Sequence, residues 1–537
     1  MRTSDFFAAG RIGVLCLALA LLCLAAPRRA AAQQSGFSSV DPDSALAETL
    51  RAMGGQPLQL GLATRLALEN ATAVRAARAA ARAAEGELQR ERGAFDPELF
   101  ADLTTRRAET PSSSPFARPD VVENEETSTS AGARIRLPIG TEIEASIGAV
   151  RLDTNSEFAS VDPEYRADGT LELRQPLLKG FGAGTSSARS AAERNLEAAQ
   201  AAYRDALLAT RAEVEKTYWL LYATERDAAV QLLIVEQGEA LLEQARLRNR
   251  AGLVGPNQVA NARVFVASQR IVSLDQGERL ERISDELAVL LGVRPDGGSR
   301  YRPIDEPPNE FSVAPVESLL DRAFANNAAL RVSEGNLHII EAYASGARWN
   351  GLPSLDLIGR LGGHGLAGTS REINFGGEIL SVDTKGGYAE ALSQALGRDA
   401  GSWSVGVELS FPLTLRPGRG ERSRLQAEAE RLRQGVESVR RSLEMRVRTV
   451  HRELDNSRLR LELAHEGVDA SLEQVRIGVI EYDNGRTTAF EVVRLGADLA
   501  GAQQRLSEAL VRAATAAADL RYLTAESSDS IFPEASN

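Results

Sequence analysis

Four histidines, His338, His364, His451 and His465, supply the imidazoles of the 537-residue chain, the side chains best suited to moving a proton or holding a metal near neutrality. Their spacing supports neither role. His451 and His465 are 14 residues apart on one helical stretch, about 21 Å along its axis, and the other two fall in separate segments. The run Gly362-Gly363-His364-Gly365 has the glycines of a phosphate-cradling loop but lacks the Lys and Ser/Thr that complete one, so it reads as a flexible external loop. The cysteines are Cys16 and Cys23, both near the N-terminus. The remainder has no thiol for disulfides, thiolate metal sites or nucleophilic catalysis. Acidic pairs are plentiful but fall on charged helix faces, where they act as solvation. No catalytic residue, cofactor or metal site is expected, and the chain does not read as an enzyme.

The elements that would position any function begin after an export signal. Residues 1–32 carry Arg2 and Arg11, then apolar residues from Ile12 to Ala26, then Ala30-Ala31-Ala32 as a cleavage site. That apolar stretch is short of the roughly 20 residues needed to span a bilayer. Leu15 and Leu22 precede the cysteines, so a lipid-anchored cysteine is not expected. Loss of Arg2, Arg11, Arg28, Arg29 and Asp5 removes a net +3, which takes the charge from −12 to −15 (−12 − 3) and argues against a nucleic-acid partner. Aromatics are 5% and charged residues 25%, a mixture that suits long helices with small-residue packing.

The strongest periodicity runs from Leu425 to Val479 through Leu432, Val439, Leu443, Val450 and Leu454, a heptad seam with charged residues between. A matching seam runs from Leu196 through Tyr203, Val214, Tyr218 and Leu221 to Leu242, with Tyr218-Trp219 as core packing. The plan of one half recurs in the other. After a leader at 33–57, the first repeat (58–292) holds helix 58–92, strands within 97–176, long helix 186–250 and helix 257–291. A linker at 293–314 follows. The second repeat (315–524) holds helix 315–348, strands within 353–412, long helix 420–479 and helix 487–523, before a tail at 525–537. A 65-residue helix is about 97 Å long, so two flanking helices of about 52 Å match it end to end. The arithmetic places strands at one end of a rod and hairpin turns at the other. Alternating runs at 98–105, 131–137, 141–149 and 169–176 fit strands of a membrane barrel or of a soluble half-buried sheet.

Several segments carry a resemblance. Leu66-Ala67-Leu68-Glu69-Asn70, Gln175-Pro176-Leu177-Leu178, Ala251-Gly252-Leu253, Val259-Ala260-Asn261-Ala262-Arg263, Tyr482-Asp483-Asn484-Gly485-Arg486-Thr487 and Ala502-Gln503 occur in an order that resembles the TolC family of outer-membrane efflux proteins. The resemblance covers essentially the whole chain after the signal. It implies an α+β membrane protein located in the outer membrane: a homotrimer whose 12-stranded β-barrel, four strands per chain, meets outer-membrane lipid and continues as a long α-helical coiled-coil tunnel in the periplasm. It also implies a passive exit duct of a tripartite efflux or type I secretion system, docked to a periplasmic adaptor (membrane fusion protein) and an inner-membrane transporter. The competing reading is an exported coiled-coil structural or adhesin-like protein. The first half offers two strand-like runs more than the family needs, so the hairpin turning at Pro138–Gly140 is expected as an extracellular or rim elaboration.

The turn regions hold the candidate functional residues. Gly252, Leu253, Gly485 and Arg486 sit where open helix ends can serve a docking partner. By the family pattern, Tyr482 matches a tip tyrosine, and Gln258 stands where the first hairpin usually offers an acid. Glu491 and Arg494 occupy the place of two acids one turn apart and, as an i,i+3 pair, share a helix face. These four residues are the expected lining of a pore constriction.

Overall fold

The computed structural model describes residues 42–111, 118–308, 313–375, 378–484 and 486–525. The signal at 1–32, residues 33–41 of the leader, Gly485 and the tail beyond Ala525 lie outside the described residues. The chain opens with α1 (Pro42–Ala52) and β1 (Gln56–Leu58), then α2 (Leu60–Asn70) and α3 (Thr72–Gly93). Four strands follow: β2 (Glu98–Pro111), β3 (Val121–Arg136), β4 (Glu142–Thr154) and β5 (Val161–Pro176). They lead into α4 (Ala183–Arg250), α5 (Pro256–Leu291) and β6 (Tyr301–Pro303). The second half has α6 (Val316–Asn326), α7 (Ala328–Asn350), β7 (Ser354–Ser370), β8 (Ile373–Phe375), β9 (Glu378–Leu380), α8 (Tyr388–Gly397), β10 (Ala400–Ser410), α9 (Arg416–Asp483) and α10 (Ala489–Thr524).

Each long helix has 68 residues, about 102 Å of axis. α3 and α5 both pack along α4, and α7 and α10 both pack along α9. The heptad positions Leu443, Val447 and Leu454 are buried on the α9 seam, against Ala516, Ala517 and Leu520 of α10. Two expected single helices are each broken in two. The chain takes one extended residue at Ala71 (φ −55°, ψ 129°) and one at Asn327 (φ −60°, ψ 121°). At Asn327 the side chain stabilises the break, accepting from Leu330 N at 3.0 Å and donating to Leu523 O at 3.1 Å. At Ala71 no side-chain cap exists. The leader also carries structure: Leu46 of α1 packs with Val230 and Ile234 of α4, and β1 pairs in parallel with β6 of the linker.

Tyr218 joins these segments to α4. It is fully buried, and its hydroxyl lies 2.8 Å from Leu58 O and 2.7 Å from Asp305 Oδ2 while accepting from the backbone N–H of Ile304 (3.1 Å) and Asp305 (3.2 Å). Burial pushes its ionisation upward, so it stays a neutral donor and acceptor. The core role expected from its seam position is only part of its work, because it also anchors the linker. Tyr218→Phe leaves the backbone N–H of Asp305 without its acceptor, while Ile304 N keeps Leu58 O at 3.2 Å, and is expected to cost about 1–3 kcal/mol. A denaturant midpoint equal to the parent's would show that the hydroxyl holds nothing.

The main sheet has the order β10-β7-β5-β4-β3-β2, every neighbouring pair antiparallel. Four strands per chain was the expectation; six hydrogen-bonded strands are present, because β3 and β4 lie between β2 and β5 instead of projecting from the sheet. The β3–β4 turn faces the helices, with Gly182 N just before α4 donating to Ile139 O at 3.0 Å, so this hairpin is not an extracellular elaboration. Register aligns Leu99, Ala133, Ala145, Leu171, Leu361 and Trp403 in one row across all six strands. The adjacent row, on the opposite face, is Glu98, Arg134, Glu144, Glu172, Arg360 and Ser404. On this charged face Arg134 meets Glu98 at 2.8 Å, Arg360 meets Glu172 at 2.8 Å, and Arg174 meets Asp356 at 2.6 Å.

The glycine run 362–365 is not a loop. It lies inside β7, where His364 pairs with Asp168 of β5 and Ala400 of β10. α8 rests on this part of the sheet, and the carbonyls of Ala391 and Ala395 occupy the space that β-carbons at Gly365 and Gly363 would fill. The glycines serve close approach of a helix.

Candidate functional site at the helical tips

α4 and α9 both run from the sheet to a turn at the far end. The first turn has Gly252 in the left-handed region (φ 72°), accessible to glycine at little cost. Asn249 Nδ2 donates to Val254 O at 2.8 Å, and Pro256 opens α5 at its first turn. At the second turn Asn484 caps α9, Arg486 N donates to Glu481 O at 2.8 Å, and the Thr488 side chain accepts from Glu491 N at 3.3 Å to start α10. The two hairpins pack together through Leu241 and Ala245 of α4, Ala262 of α5 and Val493 of α10.

Tyr482 sits at the edge of that cluster. Its hydroxyl accepts from Arg248 Nη2 at 3.0 Å and from Gln244 Nε2, and the Arg248 guanidinium lies 5.7 Å from the ring centroid. Arg248 and Gln244 are one helical turn apart on α4, so they present two donors to one phenol. Tyr482 therefore ties the second hairpin to the first. Glu491 Oε1 accepts from Arg494 Nη2 at 2.5 Å, with both side chains partly exposed. Gln258 is exposed on the first turn of α5, where its backbone N donates to Asn257 Oδ1 at 3.0 Å and to Gly255 O at 3.2 Å. The structure thus joins Glu491 with Arg494 and joins Tyr482 with Gln244 and Arg248. It shows no bond from Tyr482 to Gln258 or to Glu491 among the described residues. Leu253, at the apex, is 74% exposed, and Gly485 lies outside the described residues.

Among the described residues no group of His, Cys, Asp or Glu could hold a metal ion, and no helix is long and apolar enough to cross a membrane. Comparison with known proteins gives the arrangement its context. The sequence profile described as "Outer membrane efflux protein" matches residues 63–293 and 319–526. The chain belongs to the outer membrane efflux protein family. Among solved structures, it is similar to the outer-membrane channel OprN with 18% identity and TM-score 0.61, over 87% of this chain and 89% of that one. It is similar to the CmeC outer membrane channel of Campylobacter jejuni with 15% identity and TM-score 0.60, over 87% and 85% of the two chains. The VceC outer membrane protein of Vibrio cholerae gives 15% identity and TM-score 0.59, over 87% and 95%. No curated protein sequence matches the chain.

This efflux protein is accordingly an outer-membrane channel with a large periplasmic helical part, and not an enzyme. The sheet thus has one apolar row, from Leu99 to Trp403, and one charged row, from Glu98 to Ser404, the alternation of a barrel wall, with α8 resting on the apolar side at Gly363 and Gly365. The alternative of an adhesin-like fibre finds no support in the family or in the similar structures.

Proposed function

We propose that the chain works as a homotrimeric exit duct whose tips at Gly252, Leu253, Gly485 and Arg486 dock a periplasmic adaptor linked to an inner-membrane transporter, cargo passing without chemistry. In this reading Tyr482, Glu491, Arg494 and Gln258 line the narrow periplasmic end. The observation that carries it is the cross-tie at that end: Tyr482 of the second hairpin held by Gln244 and Arg248 of the first, beside an exposed Leu253 apex. The strands lie at one end of two helices of about 102 Å and the turns at the other, so a partner from the inner membrane meets the turns first.

Around a threefold axis each tip residue becomes a ring of three. A Glu491 ring alone draws cations and repels anions, while the adjoining Arg494 ring largely cancels that field. Arg494→Asp is expected to raise cation preference and Glu491→Gln to lower it. Reversal potentials across bilayers holding the reconstituted protein check this, and unchanged potentials in both variants would remove these residues from the pore.

A further inference from the structure

The sheet has two open edges. β2 and β10 each present an outer row of backbone N–H and C=O groups with no partner strand among the described residues, and Leu99 and Trp403 beside them are 82% and 75% exposed. In a bilayer such an edge is untenable, since every unpaired backbone group there costs several kcal/mol and only closed barrels satisfy them all. We propose that β10 of one copy pairs with β2 of the next, all six strands stay in the wall, and three copies close an 18-stranded barrel. The count of three copies rests on the proposed function; the six strands per copy do not.

Direction permits the pairing. β2 leaves the helices after α3 and β10 returns to them before α9, so the two edges meet antiparallel. Every pair within the sheet is already antiparallel, and an even number of strands per copy keeps that alternation around the whole ring.

Length and facing place β3 and β4 in the wall. They have 16 and 13 residues, more than the roughly 9–11 that span a bilayer. Their Ala133, Ala145 and Ile147 share the apolar face with Leu171 and Leu361, while Arg134 and Glu144 share the charged one. Removing the pair to recover four strands would break the β2–β3 and β4–β5 ladders and leave Glu98 without Arg134, which it now meets at 2.8 Å.

The helical part accommodates the larger ring. Each chain supplies four helical columns: α4, α9, α3 followed by α5, and α7 followed by α10. Twelve columns from three copies, at about 8–10 Å between axes, make a circumference of about 96–120 Å. Eighteen strands about 4.8 Å apart and tilted about 40° make about 113 Å. The barrel then matches the tunnel in width, and its bore is about 1.5 times that of a twelve-stranded one. The narrow passage for cargo lies at the tips and not in the membrane, and the interior can admit bulky solutes past a wall of mixed charge.

Electron cryomicroscopy of the full-length protein in lipid nanodiscs tests this, because strands per copy and number of copies are read separately from one map. The expected wall has 18 strands, with residues 121–154 inside it and a diameter about 1.5 times that of a twelve-stranded barrel. A wall of twelve strands with 121–154 outside it would overturn the proposal. Six strands per copy in a ring of some other copy number would keep β3 and β4 in the wall and overturn the threefold reading instead.

Discussion

Replacing Arg521 with methionine is expected to destabilise the protein by about 3–5 kcal/mol. Arg521 lies in the last turn of α10 and pairs with Glu215 of α4, with both side chains under a tenth exposed. Desolvation pushes the Glu215 carboxyl upward and the arginine partly restores it, while the same burial pulls Arg521 downward. Without the arginine, Glu215 is either an uncompensated buried charge or a carboxyl forced to take a proton. The sign of the pH effect follows. A carboxyl whose folded pKa lies above its unfolded value contributes stability below the unfolded pKa and loses it as pH rises through the folded one. The variant therefore loses stability more steeply than the parent as pH rises, and acid narrows the gap between them. The double variant Arg521→Met with Glu215→Leu removes both charges and is expected to recover most of the loss, since apolar replacements of buried pairs are often neutral or stabilising. Denaturant midpoints of the three proteins across pH settle it. An R521M midpoint equal to the parent's would mean that the pair does not join the helices.

A single arginine should separate the two faces of the sheet. Leu171 and Thr170 are neighbours on β5, and Leu171 points to the apolar face while Thr170 points to the charged one. Leu171→Arg puts a cation against hydrocarbon and is expected to cost about 2–4 kcal/mol near the midplane. Thr170→Arg enters a water-lined interior already holding Arg174 and Arg360 and should change folding by less than about 1 kcal/mol. Urea titration of folding into vesicles measures both. Equal losses would mean that the faces are assigned wrongly or that β5 is not in the bilayer.

Much of this arrangement was legible in the sequence, and the failures have local causes. The seams of α4 and α9 could be read because buried positions such as Leu443, Val447 and Leu454 recur at heptad spacing between charged residues. The turn at Gly252 announced itself by glycine followed by Pro256. The break at Ala71 did not, since alanine is the strongest helix former and nothing at that position opposes helix. The Asn327 break was more visible, because asparagine favours the N-cap it forms. All four strand-like runs of the first half were visible, but the upper part of β3, from Glu123 to Ser130, is polar on both faces and shows no alternation. The resemblance implied two strands there, and it could not reveal that β3 and β4 add to the sheet. At the tips, Glu491 with Arg494 follows from i,i+3 spacing alone. The bond between Tyr482 and Arg248 spans 234 residues of sequence and depends on how the hairpins meet, which no local pattern encodes.

The central claim is a channel closed only by assembly in a membrane, and the number of copies in the detergent-extracted protein tests it most directly. Edges at β2 and β10 and the apolar row from Leu99 to Trp403 require both partner copies and lipid or detergent. Native mass spectrometry of protein extracted from outer membranes should give three chains that aggregate when detergent is withdrawn. A monodisperse single chain, stable in water with its strand content intact, would contradict the account.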